Sequence, residues 1–314
     1  MDTCPTCSCS FSDCNFDSIP YPAKGWQHNQ GIPDTIRFCS KCGTGIANPT
    51  ISDMATDELY VQGKYWQQST AKLPLKIFPV PFGLAQARWE LIQKSLPDFQ
   101  NKREIKLLDI GAGHGYIGLV ASFGHNSVLS EYHAIEPDPT MRQYMRDMWI
   151  KKGRKQKLNA MVSMDQVTGC YDVVVLSHIL EHLQDPSSLI NSVIALLSSQ
   201  QGLLFIDVPN QDHLFKNDVF PHIVFFSPSS LKSLLEKEQL EIIHLDAWGR
   251  NMYKSPANAN TPLKMKLMGE MIRLSYRFLP SKFLVQFYAW YFGGNQMNTE
   301  GTWIRALCKR KQQQ

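Results

Sequence analysis

The sequence predicts an α/β protein whose core is a doubly wound, mostly parallel β-sheet with helices on both faces. From Lys106 onward, short apolar runs alternate with amphipathic stretches, an order typical of repeated strand–helix units. The run YDVVVLSH (171–178) is apolar nearly throughout, as a strand buried on both faces of a parallel sheet requires. Two predicted helices begin with a capping residue followed by proline, at Asp185-Pro186 and at Ser227-Pro228.

The individual elements follow from the same patterns in chain order. Strands are predicted at IKLLDIG (105–111), YHAIEPD (132–138), YDVVVLSH (171–178), GLLFIDVP (202–209), LEIIHLDAW (240–248) and TWIRALCKR (302–310). Helices are predicted at GLAQARWELIQKSL (83–96), GYIGLVASFG (115–124), PTMRQYMRDMWIKKG (139–153), DPSSLINSVIALLSS (185–199) and SPSSLKSLLEKEQ (227–239).

The stretch at about 250–300, between the last two strands, is too long for a hairpin and is predicted to be a helical insertion. Its centre carries an apolar helical stripe with basic residues beside it. The stripe is Leu267, Met271, Leu274 and Phe278, and the basic residues are Lys264, Lys266, Arg273, Arg277 and Lys282. This composition suits peripheral membrane contact through 263–294, a lid over a site, or packing against the core.

Composition and charge narrow the class of protein. The chain has 43% hydrophobic and 19% charged residues, as an ordinary globular enzyme has. The net charge of +4 comes without a long basic run, so it gives little support to nucleic-acid binding, and no DNA partner is expected. No signal peptide or membrane-spanning run stands out, which predicts a soluble cytoplasmic protein with free thiols rather than disulfides.

Most of the eight cysteines lie within the first 42 residues. Two C-x-x-C pairs, Cys4/Cys7 and Cys39/Cys42, supply the four thiolates of a closed tetrahedral zinc site, which predicts structural Zn²⁺. Cys9 or Cys14 can replace a member of the first pair, and a redox pair is the other interpretation. The loop between the pairs is rich in proline and glycine, so it is predicted to be irregular rather than to form strands.

The segment LLDIGAGHG (107–115) places glycines directly after the first strand of the sheet. A dinucleotide fingerprint requires glycine or alanine at its third position, where this chain has Tyr116. Asp109 would also face a pyrophosphate of like charge. A ligand with an ammonium and a sulfonium but no phosphate, such as S-adenosylmethionine (SAM), fits the Asp109 carboxylate better. Glu136 lies at the end of the next strand, where an acid can accept hydrogen bonds from the ribose hydroxyls of such a ligand.

This combination resembles motif I of class I SAM-dependent methyltransferases. The resemblance covers residues from about 105 to 245 and the last strand, and it implies a Rossmann-like, seven-stranded methyltransferase sheet with SAM as cofactor. The residues that it places at the cofactor are Asp109, Gly111, Gly113, Gly115, Glu136, Pro137 and Ser177.

The stretch FCSKCGTGIANPTISDMATDELYVQGKYW (38–66) resembles the segment that joins a zinc-binding module to the core in a bacterial subgroup of these enzymes. That subgroup methylates nucleotide-linked sugars and related small molecules. The resemblance makes Tyr65 and Trp66 candidate substrate residues, which can also simply cover the core. The chain departs from the pattern in its first knuckle, CPTCSC, and in its long insertion before the last strand.

The subgroup's pattern also includes histidines and an acid at the ends of two strands, seen here as SHILEHLQDP and FPHIVFFSPSSL. His178, Glu181 and His182 follow one strand, and His222 follows the next. We predict that His222 accepts the acceptor's proton with help from His178, because histidine titrates near neutral pH. The alternatives are that Glu181 and His182 begin a solvent-exposed helix, and that His222 is a buried structural residue.

The chain is therefore expected to have three parts: a zinc-binding module at 1–50, a helical linker or substrate cap at 51–103, and a methyltransferase core at 104–314 with the insertion. The function that the resemblance implies is methyl transfer to a small molecule, in particular a nucleotide-linked or glycan sugar. RNA methylation is the alternative, because some ribosomal RNA methyltransferases carry a zinc module. A zinc-bearing scaffold without activity is a second alternative, which the intact Asp109, glycines and Glu136 disfavour.

Overall fold

The structure of this chain is a computed structural model that describes residues 3–10, 16–24, 31–51, 75–96, 104–123, 128–198, 201–251 and 301–311. Several residues singled out in the sequence lie outside these ranges: Cys14, Tyr65, Trp66, the middle of the 51–103 stretch and nearly all of the 250–300 insertion. Within the described ranges, no helix is both long enough and apolar enough to span a membrane.

The strands form one large sheet and one small sheet. In chain order they are β1 (Phe16–Pro20), β2 (Thr35–Cys39), β3 (Gly45–Asn48), β4 (Ile105–Ile110), β5 (Leu129–Ile135), β6 (Lys157–Met161), β7 (Val173–Ser177), β8 (Leu203–Pro209), β9 (Val224–Phe225), β10 (Leu240–Asn251) and β11 (Gly301–Arg310). The large sheet has the order β10-β11-β8-β7-β4-β5-β6. Strands β4 to β8 are parallel, whereas β11 pairs antiparallel with both β8 and β10.

The helices are α1 (Pro79–Ser95), α2 (Tyr116–Ala121), α3 (Pro139–Lys151), α4 (Pro186–Leu196) and α5 (Pro228–Lys237). Side-chain caps begin three of them, two as the sequence indicates and a third at Asp138. Asp138 accepts hydrogen bonds from Thr140 and Met141, Asp185 accepts one from Ser188, and Ser227 forms a capping box with Ser230. The predicted fold class, a seven-stranded Rossmann-like α/β sheet with flanking helices, is confirmed.

One strand of this sheet, β6, has no counterpart among the strands assigned from the sequence. Its sequence KLNAM mixes polar and apolar residues, and most of its side chains are only partly buried. Among the described strands it pairs only with β5, at the edge of the sheet, so its residues are less buried and give a weaker hydrophobic pattern.

The order of the strands brings two loops to one edge of the sheet. β4 lies between β5 and β7, so the chain runs outward in one direction from β4 and later returns to its other side. At such a switch point the loops that follow the carboxyl ends separate and leave a crevice. The glycine loop after β4 and the histidine loop after β7 therefore lie side by side.

The small sheet corrects one expectation from the sequence. The loop between the cysteine pairs was predicted to be irregular, but it contains β1 and β2, which pair antiparallel with each other. The sequence TIRFC buries Ile36 fully, and this apolar contact stabilises a strand that the surrounding prolines and glycines obscure. β3 pairs with β9, so this sheet is joined to the segment that carries His222.

Candidate active site

The glycines after β4 are required by the backbone and by their neighbours. Gly111, Gly113 and Gly115 have φ angles of 70°, 52° and 67°, which L side chains rarely adopt. A Cβ on Gly111 would stand 2.0 Å from Ile179 Cδ1, and one on Gly115 would stand 2.5 Å from Met145 Cγ. At Gly113, no atom of the described residues other than Gly113 and its two chain neighbours lies within 4 Å of the Cβ position. The loop is packed at its two ends and open at its middle, where a ligand can approach the backbone.

Two buried carboxylates flank this open backbone. Asp109 accepts a 2.8 Å hydrogen bond from the Tyr132 hydroxyl, and burial raises the pKa of Asp109 to about 7. Glu136 accepts a 2.7 Å hydrogen bond from the Gly113 amide through Oε2 and a 2.9 Å bond from the Asp138 amide through Oε1. Burial also raises the pKa of Glu136. Each Glu136 oxygen keeps a second lone pair that can accept a ligand hydroxyl.

Pro137 and Ser177, the other residues expected at the cofactor, occupy the same edge of the sheet. The Pro137 carbonyl accepts a 2.7 Å hydrogen bond from Arg142, which fixes the turn between β5 and α3. Ser177 is the last residue of β7 and pairs with Asp207 of β8. The residues for which a cofactor role was predicted thus lie near the carboxyl ends of β4, β5 and β7 or in the loops that follow β4 and β5.

The loop after β7 turns sharply at His178, whose φ of 58° is uncommon for a residue with a side chain. The His178 amide donates a 2.8 Å hydrogen bond to the Asp207 carbonyl, which holds the turn against β8. Its ring Nδ1 lies 3.1 Å from Glu181 Oε1, and its side chain keeps 35% of its exposure. Ile179, the next residue, packs against Gly111, so this loop contacts the glycine loop directly.

Glu181 and His182 do not begin a solvent-exposed helix. They lie in a single 3₁₀ turn, Leu180–His182, and Glu181 is only 1% exposed. Glu181 Oε1 is close to His178 Nδ1 and lies 3.8 Å from His182 Nε2. Burial alone would raise the pKa of Glu181, but the neighbouring histidines His178 and His182 lower it below its usual value. Burial lowers the pKa of His182 to about 4.

His222 reaches the same cluster from the loop between β8 and β9. Its ring lies edge-on to that of His182, with 4.9 Å between the centroids. The His222 carbonyl accepts a 2.9 Å hydrogen bond from the Tyr21 hydroxyl of the N-terminal part, which fixes the loop. His222 and His178 were predicted to act together, but no direct contact between them is present in the described part of the structure. Glu181 and His182 lie between the two histidines instead.

Asp212 is a site residue that the sequence reasoning missed. Its Oδ2 lies 3.1 Å from His222 Nδ1 and 2.8 Å from Lys216 Nζ. Burial alone would raise the pKa of Asp212, but His222 and Lys216 lower it below its usual value. The only signal in the sequence is an acid in the loop that precedes His222, and such acids are too common to single out.

The four cysteines predicted as metal ligands form a compact cluster. Cys4 Sγ lies 3.6 Å from Cys42 Sγ, Cys7 Sγ lies 3.6 Å from Cys39 Sγ, and all four sulfur atoms lie within 4.8 Å of one another. Four thiolates around one zinc ion at about 2.3 Å would stand about 3.8 Å apart. The donor set and its spacing therefore fit a tetrahedral metal. Gly43, with a φ of 74°, makes the tight turn after the second pair.

Cys9 does not belong to this cluster, because it is disulfide-bonded. The expectation of free thiols is therefore wrong at Cys9. The alternative in which Cys9 replaces a member of the first pair also fails in this structure, since a disulfide sulfur is not a thiolate ligand. Cys14, the other alternative, lies outside the described residues.

The sequence of this chain matches a known protein family. The sequence model of the family described as "Methyltransferase domain" matches residues 84–245, just over half of the chain. The matched segment contains Asp109, the glycine loop, Glu136 and all members of the histidine cluster. No curated protein sequence matches this chain.

Solved structures of similar shape include coclaurine N-methyltransferase bound to N-methylheliamine and SAH, with 16% identity, 72% of each chain covered and a TM-score of 0.47. A putative sarcosine dimethylglycine methyltransferase from Galdieria sulphuraria has 13% identity and a TM-score of 0.46, with 79% of this chain and 97% of that chain covered. Magnesium protoporphyrin IX methyltransferase from Synechocystis PCC 6803 has 14% identity and a TM-score of 0.46, with coverage of 64% and 94%. At these identities and TM-scores, the similarities do not help to identify the acceptor.

Proposed function

We propose, from the premise that this chain belongs to the methyltransferase-domain family, that it transfers the methyl group of SAM to a small-molecule acceptor, a nucleotide-linked or glycan sugar. The observation that carries the cofactor assignment is the arrangement at the carboxyl ends of β4 and β5. There the open backbone at Gly113 lies against Glu136, and Asp109 is buried beneath the loop. The sugar preference is supported by the sequence resemblance of residues 38–66 to the sugar-modifying subgroup.

The two carboxylates suit the two ends of SAM. Glu136, held by two backbone amides, presents its remaining lone pairs to the ribose hydroxyls. Asp109 favours the cationic end, where a dinucleotide would place a pyrophosphate. The glycines let the backbone approach the ligand without steric conflict, and Gly113 is the position where this freedom is open.

Replacing Glu136 with alanine should weaken SAM binding about tenfold or more, because charge-assisted hydrogen bonds contribute roughly 1.5–3 kcal/mol each. Titration calorimetry with SAM measures this change. Glu131→Ala is the matched control: it removes an acid from the same strand, β5, where Glu131 pairs with Lys106 and Lys157. We expect SAM affinity to be unchanged in that variant. Unchanged affinity in Glu136→Ala would show that the ribose is held elsewhere.

The affinity for SAM should rise with pH through about 7. Because burial raises the pKa of Asp109 to about 7, this carboxyl is largely protonated below that pH and ionised above it. A cationic ligand binds the ionised form more tightly, so the affinity increases as the proton leaves. Calorimetry at about pH 6 and about pH 8 tests this, and Asp109→Asn should flatten the dependence. The same pH dependence in both proteins would assign it to another group.

In the methyl transfer, the acceptor oxygen attacks the methyl carbon and the carbon–sulfur bond breaks, with its electron pair remaining on sulfur. The protein aligns the two reactants and removes the hydroxyl proton. His222 is the proposed base. Its Nδ1 faces Asp212, which leaves Nε2 to accept the proton, and the Asp212 carboxylate then stabilises the charged ring. His178, the most exposed of the three cluster histidines, lines the approach to this site.

Mass spectrometry of reactions with a panel of sugar nucleotides tests the acceptor class. A gain of one methyl group on a panel member, dependent on SAM, supports the proposal. The same panel includes transfer and ribosomal RNA, because RNA methylation is the alternative function. Methylation confined to RNA would reject the sugar assignment while keeping the cofactor assignment.

We also propose that the cysteine cluster holds one structural zinc ion. The cluster supplies four sulfur ligands, so no coordination position is left for substrate or water. The four cysteines come from two chain segments, 4–7 and 39–42, and the ion would join the N-terminal turn to the end of β2. Its contribution is to the stability of the small sheet, which contacts the His222 loop through β9.

A further inference from the structure

We propose that Glu181, His182 and His222 bind a divalent first-row transition-metal ion at the proposed active site, separate from the cysteine cluster. The three side chains each offer one ligand atom, and these atoms lie within 4.8 Å of one another. Ligand atoms around one ion at about 2.0–2.2 Å stand roughly 3–3.5 Å apart. Closing the cluster therefore needs side-chain movements of about an ångström and no change of fold.

An unsatisfied oxygen on Glu181 is the first observation that points to a ligand. Glu181 is fully buried in its surroundings, and no donor among the described residues hydrogen-bonds to its Oε2. A buried carboxylate oxygen without a partner is unfavourable, and such groups usually mark a water or ion that completes the site. The unpartnered oxygen belongs to the same side chain that both neighbouring histidines approach.

The orientation of the two histidines is the second observation. His182 Nδ1 lies 3.4 Å from the Pro221 carbonyl, and His222 Nδ1 lies 3.1 Å from Asp212 Oδ2. Metal-binding histidines commonly use one ring nitrogen for the ion and the other for a carbonyl or carboxylate that fixes the ring. Each ring thus has an oxygen beside its Nδ1, and Nε2 is the nitrogen that we assign to the ion. Asp212, which contacts no proposed ligand except His222, acts as the orienting carboxylate.

The chemistry of the donors selects the class of ion. Two imidazoles and one carboxylate suit Mn²⁺, Fe²⁺, Co²⁺ or Zn²⁺, whereas Mg²⁺ and Ca²⁺ favour all-oxygen sites. Three protein ligands leave coordination positions open, in contrast to the four thiolates at the N-terminus. A cation would also offset the negative charge of the buried Glu181 carboxylate, whose Oε2 has no hydrogen-bond donor among the described residues.

Metal binding at this cluster does not depend on the proposed function, but the catalytic role of the ion rests on it. An acceptor hydroxyl that coordinates the ion would lose its proton more easily, since a bound cation stabilises the alkoxide. The ion would also hold the acceptor oxygen in place for attack on the methyl group. Because the ion would occupy His222 Nε2, that nitrogen cannot also accept the proton. With the ion bound, the hydroxyl proton passes to water; without the ion, His222 takes it.

The test uses Mn²⁺ as the probe and electron paramagnetic resonance on the whole protein without acceptor. Mn²⁺ avoids thiolates, so the cysteine cluster does not interfere. We expect one tightly bound Mn²⁺ per chain, with spin-echo modulation from two imidazole nitrogens. His222→Gln should reduce this to one nitrogen, and Glu181→Gln should weaken binding at least tenfold. Thermal unfolding of each variant verifies that it is folded.

His244→Gln is the matched control, because His244 on β10 also lies beside a carboxylate, with its Nε2 3.1 Å from Asp246 Oδ1. This pair has no third metal-ligating side chain among the described residues. Its Mn²⁺ affinity should stay within about twofold of the parent. The absence of bound Mn²⁺ in the parent, or bound Mn²⁺ without nitrogen coupling, would overturn the inference. SAM calorimetry on the same samples separates the two proposals. A protein that binds SAM but not Mn²⁺ rejects only the metal site, and a protein that binds Mn²⁺ but not SAM rejects only the proposed cofactor.

Discussion

Replacing His222 with alanine should lower turnover by at least about a hundredfold while SAM affinity stays nearly unchanged. General-base catalysis contributes on the order of 10²–10⁴ in rate, and the variant removes the ring that Asp212 orients. SAM is assigned to different residues, on β4, β5 and the glycine loop, so its affinity should not follow the loss of turnover. Steady-state kinetics at saturating SAM measure the first quantity, and calorimetry measures the second.

The control for this experiment is His244→Ala, which removes a histidine from a carboxylate pair on β10. Its turnover should remain within about twofold of the parent. If His222→Ala keeps turnover within a few-fold of the parent over about pH 6–9, His222 only lines the pocket. A loss of SAM affinity as large as the loss of turnover would instead indicate that the loop has collapsed onto the cofactor site.

Protein purified without chelator should contain one zinc ion per chain, and Cys39→Ser should lose it and unfold at a markedly lower temperature. In zinc-finger peptides the apparent binding free energy of structural zinc is about 10–16 kcal/mol, and it appears as folding free energy. Here the small sheet also has apolar packing around the fully buried Ile36, so we expect partial rather than complete unfolding. Elemental analysis and thermal unfolding provide the two measurements.

Cys170→Ser is the control for the zinc prediction, because Cys170 is an exposed free thiol outside the cluster. Its zinc content and unfolding temperature should match those of the parent. Absence of metal in the parent protein would reject the zinc site. Full occupancy in Cys4→Ser would show that Cys4 is not required as a ligand.

The sequence alone sufficed for the parts of this protein that depend on local patterns. Residues close together in the sequence determine the order of strands and helices, the helix caps and the glycine loop. Hydrophobic periodicity, capping and positive φ angles each depend on only a few consecutive positions. The cysteine pairs belong to the same category, since two C-x-x-C turns bring four thiolates toward a shared centre whatever the intervening loop does. The edge strand β6 and the strands between the cysteine pairs escaped this reasoning because their burial comes from distant partners.

The composition of the histidine cluster was decided only by the tertiary structure. One interpretation of the sequence places Glu181 and His182 at the start of a solvent-exposed helix. In the structure Glu181 is buried and its carbonyl accepts a hydrogen bond from the Ile223 amide, while His182 is partly buried. Asp212 joined the site without a distinguishing signal, and the unpartnered Oε2 of Glu181 is a property of its surroundings. Burial and hydrogen bonding depend on residues far apart in the chain, whereas a motif records only which side chains are present. The sequence therefore identified the histidines and Glu181 as candidates, and the fold added Asp212 and decided which of these groups lie close enough to act together.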